Sequence, residues 1–407
     1  MSNHTLSPLK RSIVGVQFMF VAFGSTVLVP LLVGFDPAIA LLAAGLGTLL
    51  FHGVTGGKVP IYLGSSFAFI APIMEATKTF GMPGMFCGLI AVGVVYLLMS
   101  LLVKAFGIKL IKKLFPPVVI GPVIMLIGLS LAGTGVDMAS GNWILALVSL
   151  GVAIVCSIWG KGFLKLIPVV FGAIAGYIVA LIFFRDSMDF SAVASAPWFS
   201  LPHLAKISFT WKAILFMAPV AIAPIVEHVG DVYAISEIAD KDFVKDPGLH
   251  RTMLGDGLAC ILAACLGGAP VTTYSEVTGA VSLTKVTDAS CMRIAAITAI
   301  LVSLVGKVSA AIQTIPSAVL GGIMLLLFGT IAAVGISNMV KAKIDMGKTR
   351  NLVIVSLILT VGLGTLGKFP FSGIGLASVV GVVLNLIIPD EKKHAGEKVV
   401  ENNPENA

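Results

Sequence analysis

The feature that most constrains this chain is the recurrence of apolar runs from Ile13 to Pro389, each near the ~20 residues that a helix needs to cross hydrocarbon. In lipid every backbone N–H and C=O must find its partner within the protein. Such runs therefore fold as helices, and irregular backbone survives only where it is buried in protein or lines a cavity. Composition points the same way: 57% of residues are hydrophobic, 12% are charged and the mean hydropathy is +1.04, which excludes a soluble globular chain. The expected class is an all-α polytopic membrane protein whose first partner is the lipid bilayer. No cleavable leader is expected, because only Lys10 and Arg11 precede a first span longer than a signal h-region.

Fourteen apolar segments can be marked, at 12–33, 37–56, 61–78, 82–106, 115–133, 143–160, 162–184, 213–238, 254–269, 270–285, 290–314, 317–340, 351–367 and 372–389. Two are anomalous. The segments 61–78 and 270–285 are short and rich in Gly, Ser and Thr, and each is third in its set of seven. Corresponding interrupted spans in two halves point to a binding site in transporters built from inverted repeats. Seven is odd, so the second set starts from the opposite side, and a 7+7 inverted repeat is expected, with short extended strands in segments 3 and 10.

Cation placement sets the orientation. Of 27 lysines and arginines, only Lys78, Arg185, Lys206, Lys212, Lys307 and Lys368 fall outside if the amino terminus is cytoplasmic. That asymmetry predicts an even number of spans with both termini cytoplasmic, in an inner-type membrane. It also explains the net charge of +7 without a nucleic-acid partner. The longest outside loop, Arg185–Trp211, carries Trp198, Phe199 and Trp211, which fits an interfacial belt or a small lid. The charged tail at 390–407 is expected to be disordered. The five cysteines, Cys87, Cys156, Cys260, Cys265 and Cys291, lie in or beside apolar runs without paired loop spacing and read as packing residues, neither disulfides nor metal ligands. No cofactor is implied.

Three carboxylates, Glu227, Asp231 and Glu276, sit inside segments otherwise apolar enough for lipid. An ionisable group there is costly and is kept mainly where it faces a cavity or does a job. Glu227 and Asp231 are four apart and share a helix face. Two like charges one turn apart do not both ionise cheaply, so the pair is expected to share a proton near neutral pH, or else to hold Na⁺. A solvated helix end is the competing reading for Asp231, where the chain turns polar towards Asp240. His228, about 100° round the helix from Glu227, reads as a satisfied packing residue.

Around Gly64, Ser65 or Ser66 is placed to cap the helix that follows, aiming free N–H groups at carbonyl oxygens. Phe67 either stacks on a flat ligand or packs with Phe69 between helices. In the second interrupted segment Thr272 or Thr273 is expected to cap a short helix and present the N–H groups of Ser275 and Glu276, with the positive helix end beside the Glu276 charge. The structural alternative is an ion pair with Lys285. Gly255-Asp256-Gly257 and Gly230-Asp231 fall short of the Gly-x-Gly-Asp pattern of intramembrane aspartyl proteases, so an acid hydrolase using Asp231 and Asp256 is a remote alternative. No Walker, Gly-x-Ser-x-Gly or dinucleotide motif occurs in a strand–helix context. Transport would then run on an ion gradient or simply downhill.

At these residues the chain resembles the nucleobase/ascorbate transporter family, and within it the bacterial uracil–proton symporters. The stretches that carry the resemblance are Phe23 to Pro30, Tyr62 to Phe69, Glu227-His228-Val229-Gly230, Asp246 to Arg251 and Thr272 to Glu276. The resemblance implies a core domain at 12–106 and 213–314 moving against a gate domain at 115–184 and 317–389, in a homodimer. It implies that Glu227 and Glu276 hold the base's N–H and carbonyl edge, that Phe67 stacks on the ring, and that the N–H groups of Phe67 and Ser275 meet carbonyl oxygens. Ala68, Tyr274 and the gate residue Phe328 complete the binding set, and Glu227, Asp231 and Glu276 the proton-coupling set. Several residues depart from the pattern. Asp231 stands where the relatives have a histidine, Ser275 replaces a glycine, Val277 an asparagine, and Phe18 follows Gln17 where a histidine is usual. The expected function is a secondary active transporter importing a nucleobase, uracil with H⁺. A xanthine or broader purine/pyrimidine permease and Na⁺ coupling are the alternatives. An anion carrier would need a basic residue where these acids stand.

Overall fold

The computed structural model of the protein describes residues 7–185, 188–201, 204–365 and 373–389. The expected tail 390–407, the end of the segment at 351–367 and Lys368 lie outside the described residues. The chain begins with α1 (Pro8–Val33) and α2 (Pro37–Val54), then the strand β1 (Leu63–Ser65), a 3₁₀ turn at Phe67–Phe69 and α3 (Ile70–Phe106). There follow α4 (Ile108–Leu114), α5 (Pro117–Ser140), α6 (Trp143–Trp159), α7 (Phe163–Leu166), α8 (Pro168–Phe183) and α9 (Ser191–Ser195). Then come α10 (Trp211–Met217), a 3₁₀ turn at Ala218–Ala221, α11 (Ile222–Ala239), α12 (Leu249–Leu266), the strand β2 (Val271–Thr273) and α13 (Ser275–Thr284). The last helices are α14 (Ala289–Ser303), α15 (Gly306–Gln313), α16 (Ser317–Lys341), α17 (Thr349–Gly364) and α18 (Ile374–Ile387).

Among the described residues seven helical stretches are long and apolar enough to cross a membrane, with α6, α8, α14, α17 and α18 as shorter apolar helices. The chain is thus a mostly helical, multi-pass membrane protein. Helix starts follow the polar punctuation of the sequence. Asp36 Oδ1 accepts from the Ala38 N–H at 2.8 Å and Asp288 Oδ1 from the Ser290 N–H at 2.9 Å, each satisfying a donor that the helix leaves unpaired. The boundary expected between 61–78 and 82–106 is a break at Gly81 (φ 69, ψ 166) within α3. The segment 213–238 is interrupted at Ala218–Ala221, where Pro219 has no N–H to give an α-helical bond.

Helices α1, α2, α3, α12 and α14 pack on one another, and α5, α6, α8, α16 and α17 on one another. Where α5 crosses α16 the backbones all but touch. A Cβ on Gly128 would lie 2.3 Å from the Phe328 carbonyl oxygen, so only glycine admits this approach. Outside the helices, the Arg185–Trp211 loop is fastened to the α14–α15 turn. Ser200 donates to Leu304 O at 3.0 Å, and Lys307 Nζ donates to Val193 O at 2.9 Å while lying 5.6 Å from the Trp198 ring centre. Trp198 and Phe199 remain exposed.

The two interrupted segments meet. Strand β1 pairs antiparallel with β2, Gly64 opposite Thr272, and all six strand residues are buried. Buried extended backbone needs partners on every side, and the surroundings supply them. Thr48 Oγ1 accepts from the Leu63 N–H at 2.9 Å, Ser66 donates to Pro270 O at 3.1 Å, and the Tyr274 hydroxyl donates to Ser65 O at 3.1 Å.

Candidate functional site

Each strand runs into a helix, so two helix starts face a common cavity. Ser66 occupies the cap position before the Phe67–Phe69 turn, and Tyr274 the cap position before α13, yet neither side chain makes a cap bond. This corrects the expected caps. Thr272 and Thr273 belong to β2, because pairing with β1 claims their backbone before a helix can begin. Both helix starts thus turn amides, not side-chain caps, towards the cavity, which suits binding of carbonyl oxygens. Glu276, in the first turn of α13, is exposed to the cavity, where the positive helix end favours its charge. Lys285 lies at the opposite end of α13, about 13 Å away at 1.5 Å per residue, so the pair considered from sequence does not form.

Opposite, α11 presents Glu227 half-buried and Asp231 6% exposed. The Ser275 hydroxyl donates to Asp231 Oδ1 at 2.7 Å and stands 3.4 Å from Glu227 Oε1. The acids of α11 and the start of α13 are therefore joined by one side chain. Asp231 is no solvated helix end; it is buried against that hydroxyl.

His228 points away from the cavity and is fully buried. Its Nδ1 lies 2.9 Å from Asp256 Oδ2 and its Nε2 2.9 Å from Thr252 Oγ1. Asp256 Oδ2 also accepts from the Thr273 N–H at 3.1 Å. Asp256 thus braces α11 and β2 against α12 and does not face Asp231 as a catalytic partner. Sequence reasoning missed this brace. Its one usable signal was Thr252 and Asp256, four apart in α12 and so on one face. Among the described residues no group of three or more His, Cys, Asp or Glu is placed to hold a metal ion.

The cavity has a volume of about 1030 Å³, and Phe67, Ala68, Glu227, Asp231, Tyr274, Ser275 and Glu276 are among the residues that line it. Tyr274 contributes mainly as a wedge: its ring lies over Gly64, where a Cβ would come within 1.9 Å. Phe67 meets Phe328 edge-on, ring centres 6.4 Å apart at 89°. Phe328, 1% exposed on α16, sits behind Phe67 and does not line the cavity. Of the expected binding and proton-coupling residues, it alone is set back from the cavity. Phe115, Asn338 and Lys341 also line it.

The model of a permease family (Xan_ur_permease) matches residues 9–370. Among curated proteins, the chain is 48% identical to a "Probable uracil permease" of Haemophilus influenzae over 399 residues, covering 95% of this chain and 96% of that one. It is 44% identical to a "Uracil permease" of Bacillus caldolyticus, covering 95% and 94%. It is 40% identical to the "Uracil permease" of Escherichia coli K12, covering 93% and 92%. Among solved structures, SLC26A9 matches with a TM-score of 0.71 at 12% identity, covering 93% of this chain and 64% of that one. The transmembrane domain of the cyanobacterial bicarbonate transporter BicA matches with a TM-score of 0.65 at 16% identity, covering 92% and 96%. These structures share the fold with this chain. The chain belongs to this permease family, and it is a transporter, not an enzyme.

Proposed function

We propose that this permease is a secondary active transporter that imports a nucleobase, uracil foremost, in symport with H⁺. The observation that carries the reading is the convergence of Phe67, Glu227 and Glu276 on one cavity. Uracil is flat and presents both N–H donors and carbonyl acceptors on its edge. Carboxylates accept from N–H and cannot donate when ionised, so Glu227 and Glu276 suit the ring N–H groups. The amides of Phe67 and Ser275 suit the carbonyl oxygens, and the Phe67 ring suits a stacked base. The names of the curated relatives support uracil.

In this reading the chain has fourteen spans in a 7+7 inverted repeat and sits as a homodimer in a bacterial inner membrane, both termini cytoplasmic. A core at 12–106 and 213–314 moves against a gate at 115–184 and 317–389. The cavity mouth beside Lys341 then faces the cytoplasm, and this conformation is inward-open. Phe328 is a gate residue that reaches the base through Phe67. Glu227 and Asp231 carry the coupling proton, with Glu276 as the third acid. A second reading is Na⁺ coupling, in which the carboxylates supply oxygen ligands to the ion.

Uptake of labelled uracil, xanthine and adenine in a strain lacking its own permeases tests the substrate. Uracil should enter and be displaced by unlabelled uracil. Xanthine uptake without uracil uptake would overturn the assignment.

A further inference from the structure

We infer that the Ser275 hydroxyl is the proton-conducting link between Glu227 and Asp231. The inference rests on the proton-symport reading and adds to it a residue and a path. Its starting point is geometric. One hydroxyl oxygen stands 2.7 Å from Asp231 Oδ1 and 3.4 Å from Glu227 Oε1, and a hydroxyl carries one proton with lone pairs to spare. That proton goes to the nearer oxygen, on Asp231. The lone pairs then face Glu227, which closes the remaining gap only by bringing a proton of its own.

The burial of the two acids gives the chain a direction. Glu227 is half-buried at the cavity wall and takes a proton from cavity water. Asp231 is buried, 6% exposed. Glu227 is therefore the outer member of the chain and Asp231 the inner one. In the step, the O–H bond on Glu227 Oε1 breaks as one forms on Ser275 Oγ, while the bond already on Oγ breaks as one forms on Asp231 Oδ1. One proton crosses and the hydroxyl ends with the proton count it began with. Other groups bear on this chain. Glu276 faces it from α13 and Thr273 from β2, and the His228–Asp256 pair stands behind it. Tyr96 of α3 lies edge-on to His228, ring centres 6.4 Å apart.

The test compares Ser275→Thr with Ser275→Val, which match in shape and differ in the hydroxyl. Each is reconstituted in proteoliposomes with wild type. Uracil counterflow at equal pH is measured, then sodium-free accumulation under an imposed pH gradient. The readout is the ratio of driven accumulation to counterflow, which a merely structural role would not move. The Val variant should lose about tenfold or more of this ratio, in the range of a lost proton-transfer group, and the Thr variant should stay near wild type. Equal ratios in Val and Thr, with wild type driven by the gradient, would overturn the relay alone. Absence of gradient-driven accumulation in wild type would instead overturn the proton reading, and the relay with it.

Discussion

Removing the Asp256 carboxylate would strand His228 Nδ1 and the Thr273 N–H, both fully enclosed by α11, α12 and β2. Leaving a buried hydrogen-bonding group unpaired costs about 1–3 kcal/mol, so Asp256→Ala, which strands two such groups, should melt well below wild type in detergent. Thr252→Val, which removes one neutral partner of His228, should cost less, about 1–3 kcal/mol. Equal melting points for the two variants would contradict the brace. Glu276→Gln should abolish uracil binding in calorimetry while leaving melting near wild type, since its carboxylate faces the cavity and props up no other element. Wild-type affinity in that variant would remove Glu276 from the site. At this scale the acids were legible because charge inside an apolar run is conspicuous whatever it touches. The His228–Asp256 contact spans α11 and α12 and leaves no local pattern. The Thr272 and Thr273 caps were misread because a cap signal and a strand edge use the same residue types.

At the scale of elements, the site depends on a pair of three-residue strands, and their pairing depends on Gly64. Its missing Cβ is where the Tyr274 ring lies. Gly64→Ala should push that ring off the strand, break the bond from Tyr274 to Ser65 O and abolish uracil binding. Adding Tyr274→Ala to Gly64→Ala should recover part of the binding, a coupling that distant sites do not show. Additive losses in the double variant would mean that the ring contact is not what Gly64 protects. That the segments 61–78 and 270–285 were interrupted could be read from their glycines and hydroxyls. That they pair with each other could not, since three residues hold too little alternation to specify a register.

Across the whole molecule, one of the lysines behind the expected orientation, Lys341, lines the cavity. A single cysteine at Asn338, in a background without native cysteines, should react with an impermeant maleimide from the cytoplasmic face only, and uracil should slow the reaction. Labelling from the outer face alone would invert the topology. Apolar length made the membrane class readable. The packing of α5 on α16 was not, because the glycines that permit it look, in sequence, like any others in an apolar run.

The central claim is that uracil and protons move together through the Glu227–Asp231 site. The most direct measurement is accumulation of labelled uracil in proteoliposomes, first under an imposed pH gradient without sodium, then under a sodium gradient at fixed pH. The account predicts accumulation under the pH gradient alone, and a larger loss of that drive than of equilibrium binding in Asp231→Asn. Accumulation that follows sodium and ignores pH would contradict it, leaving the same carboxylates to carry a different ion.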